Sequence, residues 1–174
     1  MLFENSPIDL EQLPQIETVP FESLAPAYPK VSHIGNTIFF SILAIILILV
    51  FIFTEIREQP VLPWALPSAW LFWLAFATWL VNKTYQIQGY AIREKDIIYR
   101  SGVFFRRTTV IPFNRVQHCE VKQGPIERLF NMRTLEVYTA GGQSSDLSIP
   151  GLSGDLAEQL KEFIIKRTAA HDPE

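Results

Sequence analysis

The residues that most often carry chemistry are scarce in this chain. Cysteine occurs once in 174 residues, at Cys119, which excludes an intramolecular disulfide and a cysteine-based zinc cage. The three histidines, His33, His118 and His171, fall in separate parts of the chain, so no metal cluster is visible. No HExxH, Walker-type loop or GxSxG is present. The expectation is therefore no catalytic residue, metal, cofactor or small-molecule substrate. Cys119 and His118 are neighbours that point to opposite faces of a regular strand, and Cys119 reads as a small buried hydrophobe. Ser144-Ser145-Asp146 beside a glycine turn is accounted for by turn chemistry. A basic excess is missing too: 15 Lys and Arg stand against 18 Asp and Glu, for a net charge of −3, which excludes a chain built for nucleic acid. Charged residues make up only 19% and hydrophobic ones 48%, where soluble domains carry about 25% charged. Part of the apolar mass is not globular core.

That mass lies in two runs without a single charge. Residues 34–53 read IGNTIFFSILAIILILVFIF and residues 61–81 read VLPWALPSAWLFWLAFATWLV. At about 1.5 Å per residue each spans the roughly 30 Å hydrocarbon core of a bilayer. All four tryptophans are in the second run; Trp64 and Trp79 lie near its ends, where indoles favour the interfaces. Pro63 and Pro67 stand near its start, where a missing N–H costs least. Neither run offers a polar face to water, so a transmembrane hairpin is expected rather than two core helices. The joining loop 54–60 puts both ends of the chain on one side. It contains only Arg57, whereas Lys30, Lys83, Arg93, Lys95 and Arg100 flank the other ends, so both termini are expected in the cytoplasm. The first thirty residues hold five acids and one late lysine, unlike a cleavable signal peptide.

Three parts follow: an acidic, proline-containing tail 1–33, the hairpin 34–81, and a domain of about ninety residues, 82–174, enough for one modest core. The tail reads either as disordered or as docking Leu10, Leu13, Ile16, Val19 and Phe21 onto the domain or membrane surface. In the domain, strands are expected at Thr84–Ile92, Asp96–Arg100 and Val103–Ile111, with a hairpin turn at Ser101-Gly102. A two-residue turn there sets Ile98 opposite Phe105, Tyr99 opposite Phe104 and Asp96 opposite Arg107. The strand Arg115–Lys122 slips phase near Gln117-His118, which implies a bulge. A helical turn at Pro125–Phe130 stops at Asn131. Strands Arg133–Thr139 and Ser145–Ile149 flank a turn at Gly141-Gly142. A final helix capped by Ser153 lays Leu156, Leu160, Phe163 and Ile164 across the open end of the sheet or offers them to a partner. The fold class is α+β: a two-helix transmembrane hairpin, then a PH-like antiparallel barrel or sandwich closed by a C-terminal helix.

The runs RSGVFFRRTTVIPFNRVQH from Arg100 and VKQGPIERLF from Val121, with LEVYTAGG from Leu135 and Ile149-Pro-Gly-Leu, resemble the YdbS-like bacterial pleckstrin-homology (PH) domain membrane proteins. The resemblance covers roughly residues 30–168. It implies a membrane-tethered PH-like domain without a known reaction or settled ligand, in a family whose members are often encoded beside a larger relative with several copies of the domain. Asn131 stands where glycine is expected, and a left-handed cap accepts either.

Charge narrows the candidate sites. Residues 93–133 hold nine Lys and Arg against four acids, and residues 134–174 three against seven. Arg100, Arg106 and Arg107 near the hairpin turn are candidates for anionic headgroups or an acidic peptide, each basic residue contributing on the order of 1 kcal/mol at a charged leaflet. Solvated arginines without a ligand are the plain alternative. Pro112, Arg115, Gln117, Gln123, Gly124, Pro125 and Arg128 lie in the resembling segment and read as structural, with Arg115 and Arg128 bonding loops or carboxylates such as Glu127. Two functions follow: a protein-interaction or assembly module that pairs with copies of itself or related PH-domain proteins, or a module that reads anionic lipid or envelope stress through the arginine-rich hairpin. A channel is disfavoured, since the two runs have no charge to line a polar path.

Overall fold

The computed structural model describes residues 19–141 and 145–169. Two long helices come first, α1 over Tyr28–Phe53 and α2 over Leu62–Ile87. Each has 26 residues, about 39 Å at 1.5 Å per residue. No residue of α2 is buried and in α1 only Phe40 is, whereas the core helix of a soluble protein buries a face. Length, composition and exposure together make them membrane-spanning. They are pinned by the Trp70 indole N–H, which donates across the hairpin to the Phe40 carbonyl at 3.2 Å. A half-buried indole N–H needs such a partner, and the hydrocarbon of the bilayer offers none.

Both helices outrun the apolar runs. α1 begins at Tyr28, before Ile34, and α2 continues past Val81 to Ile87. The strand expected from Thr84 is therefore helical as far as Ile87, because extending an existing helix adds a hydrogen bond per residue while an unpaired strand adds none. Only Gly89–Ile92 is strand, β1.

The domain is two three-stranded antiparallel sheets. The first orders β1, β2 (Asp96–Ser101) and β3 (Arg107–Pro112), and the second β4 (Val116–Lys122), β5 (Met132–Thr139) and β6 (Leu147–Ser153). A short helix α3, Pro125–Leu129, joins β4 to β5, and α4, Gly154–Ala169, follows β6. α4 packs on the second sheet, burying Ala157 and Ile164 completely and Leu156, Leu160 and Phe163 in part, so the apolar stripe closes the sheet. The bulge in β4 lies where the phase slip put it, with the register shifting between Val116 and His118. Asn131 ends α3 in the left-handed region at φ +49°.

Three local expectations are corrected. The β2–β3 connection is not a two-residue turn: Ser101 pairs with Arg107 and Tyr99 with Thr109, so Gly102–Arg106 forms a five-residue loop. Gly102 has φ +95°, and a Cβ there would lie 1.9 Å from the Phe105 carbonyl oxygen, so the loop folds tightly back on its glycine. Asp96 pairs with Pro112 rather than Arg107, and its carboxylate takes the Arg93 guanidinium at 2.6 Å. The last strand runs on to Ser153 through Pro150 and Gly151, which an edge strand permits. At Gly151, φ +66°, a Cβ would meet the Tyr28 ring at 2.6 Å, so this glycine lets α1 start against β6.

The docking alternative for the tail holds for Val19–Ala27. Leu24 is 1% exposed and belongs to the core. Glu22 and Tyr90 exchange backbone hydrogen bonds of 2.8 and 3.0 Å, and the Tyr90 hydroxyl donates to the Glu22 carboxylate at 2.9 Å. Leu10, Leu13, Ile16, Gly142, Ser144 and His171 lie outside the described residues.

Cys119 faces the core, and burial pushes its thiol up to about 11. At pH 8 roughly a thousandth of it is thiolate, against about a quarter for a free thiol. Iodoacetamide at pH 8 is therefore expected to alkylate the folded protein at least a hundredfold more slowly than the unfolded one. Equal rates would mean that the thiol is not buried.

Candidate functional site

The end of the domain nearest the bilayer is set by chain connectivity. β1 starts at Gly89, directly after Gln88, which caps α2 in extended conformation. Gly89 pairs with Arg100, so the end of β2 and the start of β3 lie at this same membrane-facing edge. Arg100 Nε donates to the carbonyl of Ile87, the last residue of α2, at 3.3 Å. The loop Gly102–Arg106 therefore projects from the first sheet toward the membrane.

From Val81, where the apolar run ends, to Ile87 the helix descends about 9 Å, and the headgroup layer on each side is about 5–8 Å thick. Phe104 and Phe105, 65% and 90% exposed, stand on this loop, at the edge of the sheet that follows α2. Arg106 and Arg107 beside them are exposed, with no carboxylate among the described residues close enough for an ion pair.

Arg100 does not join them. Its guanidinium is half-buried, stacked 4.5 Å from the Phe21 ring centroid and hydrogen-bonded to the end of α2. It ties the strap before α1 to the end of α2 and leaves the loop cluster to Arg106 and Arg107.

The second sheet turns a matching end to the membrane. Gly151 lies on Tyr28 at the start of α1, the Ala25 N–H donates to the Gly151 carbonyl at 2.8 Å, and α3 packs against α1. Gln123, Gly124 and Pro125 of the motif hold the start of α3 in place. Gln123 Nε2 donates to the Met132 carbonyl at 3.0 Å. Gly124 caps α3, its N–H donating to the Glu127 carboxylate at 2.6 Å, and Pro125 takes the first helical position. The other Glu127 oxygen accepts from the Thr134 hydroxyl at 3.1 Å.

Because Gly124 and Thr134 occupy Glu127, the expected bond from Arg128 or Arg115 to it is not made. Both arginine side chains are exposed, and among the described residues neither has a side-chain hydrogen bond or ion pair. They also lie apart. Arg128 is on α3 at the membrane-facing end. Arg115 closes the 3₁₀ turn Phe113–Arg115 at the far end, where the Phe113 N–H donates to the Lys95 carbonyl at 2.9 Å. Pro112 leads into that turn and Gln117 forms the exposed bulge. Asp146 is turn chemistry: it accepts from the Thr139 N–H and hydroxyl at 2.9 and 2.6 Å, which holds its carboxyl below the usual range. Among the described residues no group of three His, Cys, Asp or Glu is placed to hold a metal ion.

Phe104, Phe105 and Leu129 are the residues that sequence reasoning missed. The phenylalanines read as strand residues when the turn is given only two residues. The signal that distinguishes them is an aromatic pair followed directly by two arginines after Ser-Gly.

The sequence profile described as Bacterial PH domain matches residues 17–168. The chain belongs to the bacterial PH domain family. The matched region takes in the strap and both helices as well as the sheets, so the membrane hairpin is part of this bacterial PH unit. The chain is 25% identical over 155 residues to the UPF0699 transmembrane protein YdbS of Bacillus subtilis (strain 168), covering 88% of this chain and 96% of that protein. It is also 26% identical over 81 residues to the UPF0699 transmembrane protein YdbT of the same organism, covering 46% of this chain and 16% of that longer one. No solved structure matches. This bacterial PH domain protein is a membrane protein, and Arg106, Arg107 and Arg128 stand exposed at the end of the domain nearest the helices, with Arg115 at the other end.

Proposed function

We propose that this bacterial PH domain protein is a non-catalytic module of the inner membrane, both termini cytoplasmic, whose β2–β3 loop docks on anionic lipid of the leaflet it hangs from. The observation that supports the reading is the Gly89–Arg100 register, which puts the loop carrying Phe104, Phe105 and Arg106, with Arg107 after it, at the same sheet edge as the end of α2. The orientation rests on Lys30, Lys83, Arg93, Lys95 and Arg100 flanking the outer ends of the helices against Arg57 alone between them. Aromatic rings at headgroup level with arginines beside them suit an amphipathic interface.

The test uses the full chain in nanodiscs with a polarity-sensitive dye at Phe105→Cys. Anionic lipid is expected to shift the dye toward an apolar environment. Arg106→Gln with Arg107→Gln should lower the docked-to-undocked ratio roughly thirtyfold, from about 1 kcal/mol per arginine. A dye equally wet in anionic and zwitterionic discs overturns the reading.

One feature favours the assembly reading as a second function. β3 is an open sheet edge, and a groove of about 490 Å³ lies between β1 and α4, lined by Tyr90, Ile92, Leu156, Leu160 and Phe163 among others. A strand or helix of another PH-domain protein, or of a second copy, suits such a surface. Saturable crosslinking from β3 to a protein, insensitive to lipid charge, is the expected signature.

A further inference from the structure

We infer that α3 is a second, separate lipid contact, with Leu129 entering the leaflet and Arg128 meeting its anionic headgroups. This rests on the lipid-docking reading of the β2–β3 loop and adds a site on the other sheet. Leu129 is 79% exposed and Arg128 beside it is exposed. A lone exposed leucine needs no explanation; the weight here falls on where this one is held and by what.

The turn that presents Leu129 is fixed at both ends. Gly124 and Glu127 cap its start at 2.6 Å, and Gln123 and Thr134 tie it to β5. Asn131 stops it at φ +49° while its carbonyl accepts the first N–H of α4 at 2.9 Å. Such a turn keeps its leucine outward and cannot fold it back.

Its height is fixed as well. α3 packs against α1, which starts at Tyr28, about 9 Å below the apolar boundary at Ile34. α3 follows the membrane-facing end of β4 and precedes that of β5, so it extends beyond the Gly151–Tyr28 contact toward the bilayer. Only a headgroup layer of about 5–8 Å separates that level from hydrocarbon. This leaves lipid, not a folded partner, as the occupant.

The two contacts differ in position in a way that gives the second one a task. The loop belongs to the first sheet, continuous with α2, and α3 to the second sheet, beside α1. The domain is tied to α1 through Gly151 and Tyr28 and to α2 through Arg100, and lipid contacts on both sheets add to the hold that sets the angle of the open β3 edge.

The experiment places a nitroxide at Leu129→Cys, Phe105→Cys or, as a solvent control at the far end, Glu94→Cys in the full chain. The chain is reconstituted in nanodiscs of mixed anionic and zwitterionic lipid. Relaxation by oxygen, which concentrates in lipid, is compared with relaxation by a water-soluble nickel chelate. The labels at 129 and 105 are expected to be oxygen-accessible and shielded from nickel at least severalfold relative to 94. A label at 129 as wet as that at 94, with 105 shielded, overturns the second contact and leaves the loop reading standing. Labels at both positions as wet as 94 overturn both. Because a label can itself seek lipid, unlabelled Leu129→Ser is measured too: it should leave Cys119 alkylation as slow as in the unaltered chain while speeding amide exchange across residues 126–131 severalfold in anionic discs. Unchanged exchange contradicts the contact.

Discussion

Leu24→Ala is expected to loosen the whole PH domain although the residue precedes both membrane helices in sequence. Leu24 is 1% exposed and packs in the core with Tyr90, Ile97 and Tyr99. Removing such a side chain costs about 2–5 kcal/mol, because the cavity closes only in part. The native Cys119 reports the result: buried in the same core, it is alkylated only when the domain opens. A loss of about 3 kcal/mol raises the opening equilibrium, and with it the labelling rate, on the order of a hundredfold. Ser23→Ala, at an exposed position on the same strap, should leave the rate within about twofold. If Leu24→Ala labels as slowly as the unaltered chain, the strap is not part of the core.

The second large effect is on the β2–β3 loop and is separable by salt. Phe104→Ser with Phe105→Ser removes apolar transfer of about 1 kcal/mol per partly buried ring. Arg106→Gln with Arg107→Gln removes a similar sum of headgroup attraction. All four together should lower docking on the order of a thousandfold. At 0.5 M salt the screening length is about 4 Å, so salt alone should reproduce most of the arginine loss and little of the phenylalanine loss. The arginine variant should accordingly be almost indifferent to salt, while the serine variant remains sensitive. A serine variant that docks as well as the unaltered chain would show that the rings stay in water.

Much of this architecture was legible because it follows from local chemistry. Two charge-free runs announce the hairpin, the Gln117 phase slip announces the β4 bulge, and Pro125 through Asn131 spells out a capped turn. The C-terminal stripe at helical spacing found its sheet. What escaped were features decided by contacts distant in sequence. Ser101-Gly102 looks like a tight hairpin, but the observed register, Tyr99 with Thr109, leaves five residues over, and these become the loop. Nothing local to Leu24 says that it belongs to a core assembled more than sixty residues later. The candidate arginines were legible but not their surroundings: Arg106 and Arg107 are exposed, whereas Arg100 is taken by Phe21 and Ile87. Arg128 is released because Glu127 is engaged by Gly124 and Thr134. Which way the arginines face depends on the junction between α2 and β1, and composition does not carry that information.

The most direct measurement of the central claim needs no substitution. Amide hydrogen exchange is followed across residues 102–107 of the unaltered chain in nanodiscs, one set rich in anionic lipid and one purely zwitterionic. Docking through the loop predicts slower exchange there in anionic discs, by tenfold or more, with the far-end turn at Arg93–Lys95 unchanged between the two lipids. Identical exchange of the loop in both lipids would contradict the account, because its two free arginines would then have no part in meeting the membrane.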